Sequence, residues 1–319
     1  MMTINFHGVR GSHPAADAKM IRYGGNTSCV ELVKANKNGV LVPVIVDAGS
    51  GLIKLGYSMV KKFATNEYSK TFTMVFTHLH PDHTEGFTFF TPLFLPFVKI
   101  HILGMDTAHK SVGTMLKNKM IPSVYPIEYK DLKARRVHRV LSDGQRFFIS
   151  QEGVSLADDT DPLFEITVMR AFTPSHPQQG ALYYKIRDVE DNSTVACVWD
   201  IESHSGGDVR VIKFIHGADV LIHDTQYTEE EYEGTTAPVQ GFGHSTYAMA
   251  LENAKKAGIK YLFPFHYNPR HSDEALDAIY KKYAASKSPE LIMSREGLSV
   301  TLSDGKIVRQ ETVPEGFAK

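Results

Sequence analysis

Apolar residues fall in short runs bounded by glycine, proline and polar clusters, at residues 4–9, 28–33, 42–47, 71–76, 99–103, 146–150, 164–172, 182–186, 194–200, 219–223 and 261–265. Runs of this length, rich in β-branched and aromatic side chains, predict buried strands. Helical spacing of apolar positions interleaves with them and predicts helices over 50–65, 106–119, 245–257 and 272–286. Ser245 and Ser272 stand where N-caps are needed, and Lys255, Lys256 and Gly258 give the third helix a positive, glycine-terminated end. Strands then helix, twice over, predicts an α/β fold of two halves. The polar stretch 156–162, with Asp158, Asp159 and Asp161, predicts the seam between them. It is too short to join independent domains, so residues 1–319 read as one domain.

Composition narrows the class. Hydrophobic residues make up 42% and charged residues 22% of 319, ordinary for a globular protein with a sizeable core. The formal charge is −1, so no excess of Lys and Arg exists to grip a long polyanion, and nucleic acid is disfavoured as the main partner. The two cysteines, Cys29 and Cys197, each lie inside an apolar run and predict free buried thiols in a reducing compartment. The amino-terminal residues do not read as a signal peptide, and no apolar stretch is long enough for a membrane span. The expectation is a cytoplasmic protein.

The chemistry concentrates after the run 71–76, where His78, His80, Asp82 and His83 occupy six positions. The run predicts a strand, and Pro81 ends it in a turn. His78 and His80 then point the same way because side chains alternate, while Asp82 and His83 lie past the bend. One loop thus offers imidazole and carboxylate ligands to two adjacent ions of the zinc, manganese or iron type. Further polar residues close apolar strands elsewhere: His176 between two prolines, Asp200 after 194–199, and His266 after 261–265. Strand carboxyl ends are where α/β active sites gather.

The order His78, His80, Asp82, His83, then His176, Asp200 and His266 resembles the metallo-β-lactamase superfamily of binuclear hydrolases. The resemblance covers nearly the whole chain and implies a four-layer αββα sandwich. It implies two divalent ions, zinc foremost with manganese or iron as alternatives. His78, His80 and His176 would hold the first, Asp82, His83 and His266 the second, and Asp200 would bridge them. It also implies hydrolysis by a shared hydroxide, with Asp82 orienting the water, and a homodimer.

Leu221-Ile-His-Asp-Thr-Gln-Tyr227 and Gly243-His-Ser-Thr246 are similar to motifs of the phosphodiesterase branch, which includes RNase Z-type endonucleases and cyclic-nucleotide phosphodiesterases. That likeness pairs Asp224, as an orienting residue, with His244, as a catalytic acid or charge stabiliser. The plainer reading is a core hydrogen-bonded pair. The segments Gly8-Val-Arg-Gly-Ser12 and Tyr23-Gly-Gly-Asn-Thr-Ser28 look like a subgroup signature without an assigned role; Arg10 is either a phosphate contact or a surface arginine. The long tRNA-clamping arm of bacterial RNase Z enzymes has no counterpart in the nineteen residues 225–243, which carry Glu229, Glu230, Glu231 and Glu233. These carboxylates are expected to repel a nucleic-acid backbone. The sequence therefore predicts a phosphodiesterase for a small, cyclic nucleotide-type diester. An RNase Z-like RNA endonuclease and a lactone or thioester hydrolase are the alternatives.

Overall fold

The structure is a computed structural model that describes residues 1–106, 111–157, 161–171, 177, 179–234, 237–284 and 288–312. Its strands in chain order are β1 (Met2–Gly8), β2 (Cys29–Ala35), β3 (Leu41–Val46), β4 (Thr71–Val75), β5 (Lys99–Gly104), β6 (Arg135–Val140), β7 (Arg146–Ser150) and β8 (Gly153–Ser155). They continue as β9 (Phe164–Ala171), β10 (Ala181–Asp188), β11 (Thr194–Val198), β12 (Val220–Asp224), β13 (Tyr261–Phe265), β14 (Glu290–Leu291), β15 (Leu298–Ser303) and β16 (Lys306–Thr312). The helices are α1 (Gly51–Ala64), α2 (Val112–Asn118), α3 (Val209–Ile215), α4 (Glu229–Tyr232), α5 (Tyr247–Ala257) and α6 (Asp273–Tyr283).

Two eight-stranded sheets result, ordered β16-β15-β1-β2-β3-β4-β5-β6 and β14-β13-β12-β11-β10-β9-β7-β8. Their facing surfaces enclose one core that includes Phe6, Leu32, Val44 and Val75 from the first sheet and Ile166, Tyr184, Cys197 and Phe263 from the second. On the outer face of the first sheet, α1 buries Leu52, Leu55, Met59 and Phe63, spaced three or four residues apart along one side. Each such side chain contributes about 1.5–3 kcal/mol on leaving water. On the outer face of the second sheet, α5 packs through Ala250, Ala254 and Ala257, small residues that let the helix lie close. The result is the αββα sandwich. Cys29 and Cys197 are buried and neither is in a disulfide, as expected. Among the described residues no helix is long and apolar enough to cross a membrane.

The structure departs from the sequence expectations where edges and caps are concerned. The chain passes from the first sheet to the second between Val140 and Arg146, ahead of the 156–162 stretch expected as the seam, of which residues 158–160 lie outside the described residues. The helix expected over 106–119 begins only after its Ser111 cap, with 107–110 outside the described residues. The cap of α5 is Thr246, whose side chain accepts from Met249 N, and not Ser245. Ser245 is buried, and its hydroxyl donates to Ile201 O instead. Ser272 caps α6 by accepting from Ala275 N.

One core histidine makes a pH-dependent contribution to stability. His101 of β5 is 4% exposed, and neither ring nitrogen has a hydrogen-bond partner. Its ring covers Gly153, where a Cβ would come within 2.2 Å of Nε2. Burial, and after it Lys99, Arg139 and Arg135, push its pKa down to about 4. The unfolded chain binds a proton there at about pH 6.5. Stability is therefore lost as pH falls from about 6.5 towards 4, and this group adds no slope above that window. Urea denaturation midpoints should fall more steeply over that range for the wild type than for His101→Leu. Parallel pH profiles for the two proteins would reject the assignment.

Candidate metal centre

The carboxyl ends of five strands converge on one side of the sandwich. In the first sheet β3 and β4 run parallel, with Val46 opposite Val75, so Asp47 and the Thr77–His83 loop emerge side by side. In the second sheet β11, β12 and β13 run parallel. Val198 pairs with His223 and Asp224 with Phe265, which places Asp200, Asp224 and His266 next to one another. Backbone links Asp47 N to Val75 O and Ala48 N to His83 O fold the histidine loop over the end of β3 (2.9 and 2.8 Å). Leu182 N donates to Thr77 O (2.8 Å) and ties that loop to the second sheet.

Three overlapping groups of ligand atoms form among the described residues, and Asp200, His244 and His266 make one of them. His78, His80 and Asp200 make the first, and Asp82, His83 and His266 the second, each with atoms within 4.8 Å of one another. Asp200 touches both, with Oδ1 3.5 Å from His78 Nε2 and Oδ2 3.1 Å from His83 Nε2 and 3.3 Å from His266 Nε2. Asp82 Oδ2 lies 3.2 Å from both His83 Nε2 and His266 Nε2. His176, expected in the first group, lies outside the described residues.

The donor set fits divalent ions. His83 Nε2 and Asp200 Oδ2 are buried and have no aligned hydrogen bond, although they approach closely. A divalent ion between them would satisfy both. Tetrahedral ligands at about 2.1 Å from a zinc ion stand about 3.4 Å apart, close to the separations in the second group. The electrostatics agree. Burial alone would lower the His83 pKa, but the carboxylates of Asp82, Asp200 and Asp47 hold it well above its ordinary value, so the site favours positive charge. Burial alone would raise Asp82 and Asp200, yet both are held well below the carboxylate range, with His83 and His266 the main opposing groups. His78 is pushed well down by burial, which favours the neutral imidazole, the form able to bind a metal.

Sequence reasoning missed Asp47, which orders the site. Its Oδ1 accepts Thr77 N, and its Oδ2 accepts Thr77 Oγ1, His83 Nδ1 and Trp199 Nε1, at 2.7–2.8 Å. A carboxylate on the far nitrogen of a ligating histidine fixes its tautomer and raises its basicity. The signal was present, since 42–46 is an apolar strand ending in an acid, as at Asp200. Asp47, Asp200 and His266 also share left-handed backbone, with φ of 62°, 55° and 60°. Such strain is tolerated where surrounding structure enforces it, often at functional sites.

The two amino-terminal segments acquire a structural role. Arg10 is fully buried and donates to Gly24 O, Asn268 O and His271 O, so it is neither a phosphate contact nor a surface residue. It clamps the loop so that Ser12 N donates to Asp82 Oδ2 (2.8 Å). Gly11 must be glycine, because a Cβ there would stand 2.3 Å from His266 Nδ1.

His244 Nδ1 pairs with Asp224 Oδ2 at 2.8 Å, and its ring stacks on His266 with centroids 4.9 Å apart. Burial alone would lower its pKa, but Asp224, then Asp200 and Asp82, raise it. Asp224 does more than orient this ring: it also accepts Asp200 N, Gln226 N and Ser245 N. A cleft of about 580 Å³ opens over the site, lined among others by Ser12, Asp82, Asp200, Gln226, His244 and His266.

Solved structures share this architecture. The metallo-beta-lactamase fold protein YhfI from Bacillus subtilis superposes with a TM-score of 0.62 at 17% identity, covering 93% of this chain and 98% of that one. Human tRNase Z, short form, gives 0.56 at 17% identity, covering 94% and 98%. Among sequences, Ribonuclease Z of Aeropyrum pernix is 34% identical over 94 residues, 30% of this chain and 29% of that protein, so the alignment spans less than a third of the relative. The model of the beta-lactamase superfamily domain matches residues 44–267, more than two thirds of the sequence. With that match, the two sheets and the strand-end cluster agree, and the chain belongs to the beta-lactamase superfamily.

Proposed function

We propose that this chain is a binuclear metal-dependent phosphodiesterase acting on a small, cyclic nucleotide-type diester. The observation that carries the reading is His244, oriented by Asp224 and lining the cleft beside both ligand groups. His78, His80, His176 and Asp200 would hold one ion, and Asp82, His83, His266 and the shared Asp200 the other. Two divalent ions there would supply Lewis acidity toward the phosphoryl oxygens and an activated water. Asp82, fixed by Ser12 N, orients that water. His244 holds a proton above its ordinary pKa and presents Nε2 to the leaving oxygen, since Nδ1 is committed to Asp224. Asp47 and Trp199 close the floor of the site to water.

A cleft of about 580 Å³ suits a small molecule. The second reading, an RNA endonuclease, draws on the partial likeness to Ribonuclease Z. Acyl hydrolysis of a lactone or thioester has less use for an acid at His244. Metal-loaded protein assayed against cyclic nucleotides, bis-p-nitrophenyl phosphate, precursor tRNA, a lactone and a thioester separates these readings. Cyclic diesters should be turned over fastest; faster precursor tRNA cleavage, with strongly salt-dependent binding, overturns the small-substrate reading.

Elemental analysis after reconstitution with zinc or manganese should give about two equivalents per chain, as a binuclear centre requires. Asp200→Ala should deplete both positions, whereas Asp47→Ala should weaken mainly the His83 position, by roughly 10–100-fold in affinity. Stoichiometry near zero in the wild type, or full occupancy in Asp200→Ala, rejects the assignment.

His244→Ala should keep both ions and lower kcat by roughly 10²–10⁴. The loss should shrink for p-nitrophenyl esters, whose leaving group needs little protonation. Equal losses for alkyl and p-nitrophenyl esters would leave charge stabilisation as the only role, and loss of an ion would make His244 a ligand. Asp224→Ala should be the more damaging change, because three buried N–H groups then lose their acceptor.

A further inference from the structure

One exposed aromatic side chain stands out in the lining of the cleft. Phe242 is 57% exposed and lines the cleft together with Asp82, Asp200 and His266. Other exposed large hydrophobic residues, such as Phe89 and Phe97, do not line it. Exposing an aromatic ring is unfavourable, and the chain invests structure in doing so. Gly241 and Gly243 on either side adopt φ of 83° and 84°, which other residues rarely reach, and a turn over Gln240 and Gly241 leads into Phe242. Phe242 N donates to Val239 O (3.1 Å) and closes that turn.

The turn is held from outside by Glu202. Its Oε1 accepts Gly241 N (2.7 Å) and Tyr232 OH (2.6 Å), and its Oε2 accepts Gly243 N (3.0 Å). Glu202 follows Asp200 by two residues, and its own segment is fixed, since Ser203 N donates to Ser245 Oγ and Ser245 Oγ donates to Ile201 O. One carboxylate therefore sets the position of Phe242 relative to Asp200 and His244. A surface phenylalanine without a function would not need that clamp.

We infer that Phe242 is a stacking platform for a nucleobase attached to the diester, and that Glu202 is the positioning residue that holds it. The inference rests on the phosphodiesterase reading for the reacting end of the substrate and assigns the other end. A base has two π-faces and stacks on an aromatic ring whatever its sequence identity, so the platform selects nucleotides over base-free diesters without selecting one base.

The test compares adenosine 2′,3′-cyclic phosphate with methyl riboside 2′,3′-cyclic phosphate, which carries the same ring without the base. Phe242→Ala should lower the ratio of kcat/KM values, adenosine over methyl riboside, by about 5- to 100-fold, mainly through KM. Phe242→Trp should restore the ratio and Phe242→Leu should not. Glu202→Ala should lower it in the same direction. Glu202→Gln, which keeps an acceptor for Gly241 N and Tyr232 OH, should lower it less. Titration calorimetry of both compounds with metal-loaded protein gives the same ratio from binding. A wild type that hydrolyses neither compound and no other diester of the panel above defeats the phosphodiesterase reading, while calorimetry still decides the platform. An identical ratio in wild type and Phe242→Ala, by kinetics or by calorimetry, overturns the inference.

Discussion

Much of this structure depends on one buried carboxylate. Asp47 is fully buried and accepts four donors, two from Thr77, one from His83 and one from Trp199. An unpaired charge at that depth would be costly, and four donors offset the loss of water. The donors come from both halves of the chain, since Thr77 and His83 follow β4 while Trp199 follows β11. The two sheets meet through an apolar core that sets their separation but has little directional character. The hydrogen bonds on Asp47 supply direction. They fix the offset between the ends of β4 and β11, and thereby bring His83 Nε2 within 3.1 Å of Asp200 Oδ2.

A second constraint follows from where parallel strands end. Side chains within a strand are committed to the core or to a helix layer, so polar chemistry is displaced to the first residues beyond it. Asp47, Asp200 and His266 each turn into left-handed backbone within two residues of the end of an apolar strand, which redirects a side chain toward the seam between sheets. Asn, Asp and His accept that conformation more readily than branched or bulky residues do. The residue types that bind metals are therefore also the ones that tolerate this turn. Gly11 and Gly49 complete the enclosure, because a Cβ on either would collide, with His266 Nδ1 at 2.3 Å and with Asp82 O at 2.3 Å.

This explains what could be read from the sequence. The central strands and the residues at their ends were legible, because an apolar run broken by a histidine or an acid is a one-dimensional pattern. The Asp224–His244 pairing was legible only through family likeness, since nothing in the spacing brings position 224 to position 244. β6 and β16 escaped because edge strands need only one apolar face, and the β6 sequence RRVHRV and the exposed β16 lack a continuous apolar run; β15, between β16 and β1, escaped because LSVTLS alternates buried and half-buried positions. Asp47 had the right pattern but no neighbouring histidine to draw notice. Arg10 was misread because its burial depends on acceptors at Gly24, Asn268 and His271, which meet only in the folded chain. Ser245 lost the cap to Thr246 because a hydrogen bond to Ile201 O was available to it in the core.

The acidic run before the cleft illustrates the same limit for electrostatics. Counted along the chain, Glu229, Glu230, Glu231 and Glu233 form a negative patch. In the fold, Glu229 accepts from Tyr283 and Lys282, Glu230 pairs with Lys282, and Glu231 pairs with His271 while completing the capping box with Thr228. Lys282, shared by Glu229 and Glu230, cancels part of the field that the carboxylates would project, and salt screens the remainder beyond about 10 Å. Repulsion of a polyanion by α4 is therefore weaker than the sequence suggests. If the substrate is the small diester proposed above, charge at α4 does not select it, and the selection falls to the lining of the cleft, where Glu202 fixes the backbone on both sides of Phe242 through Gly241 N and Gly243 N.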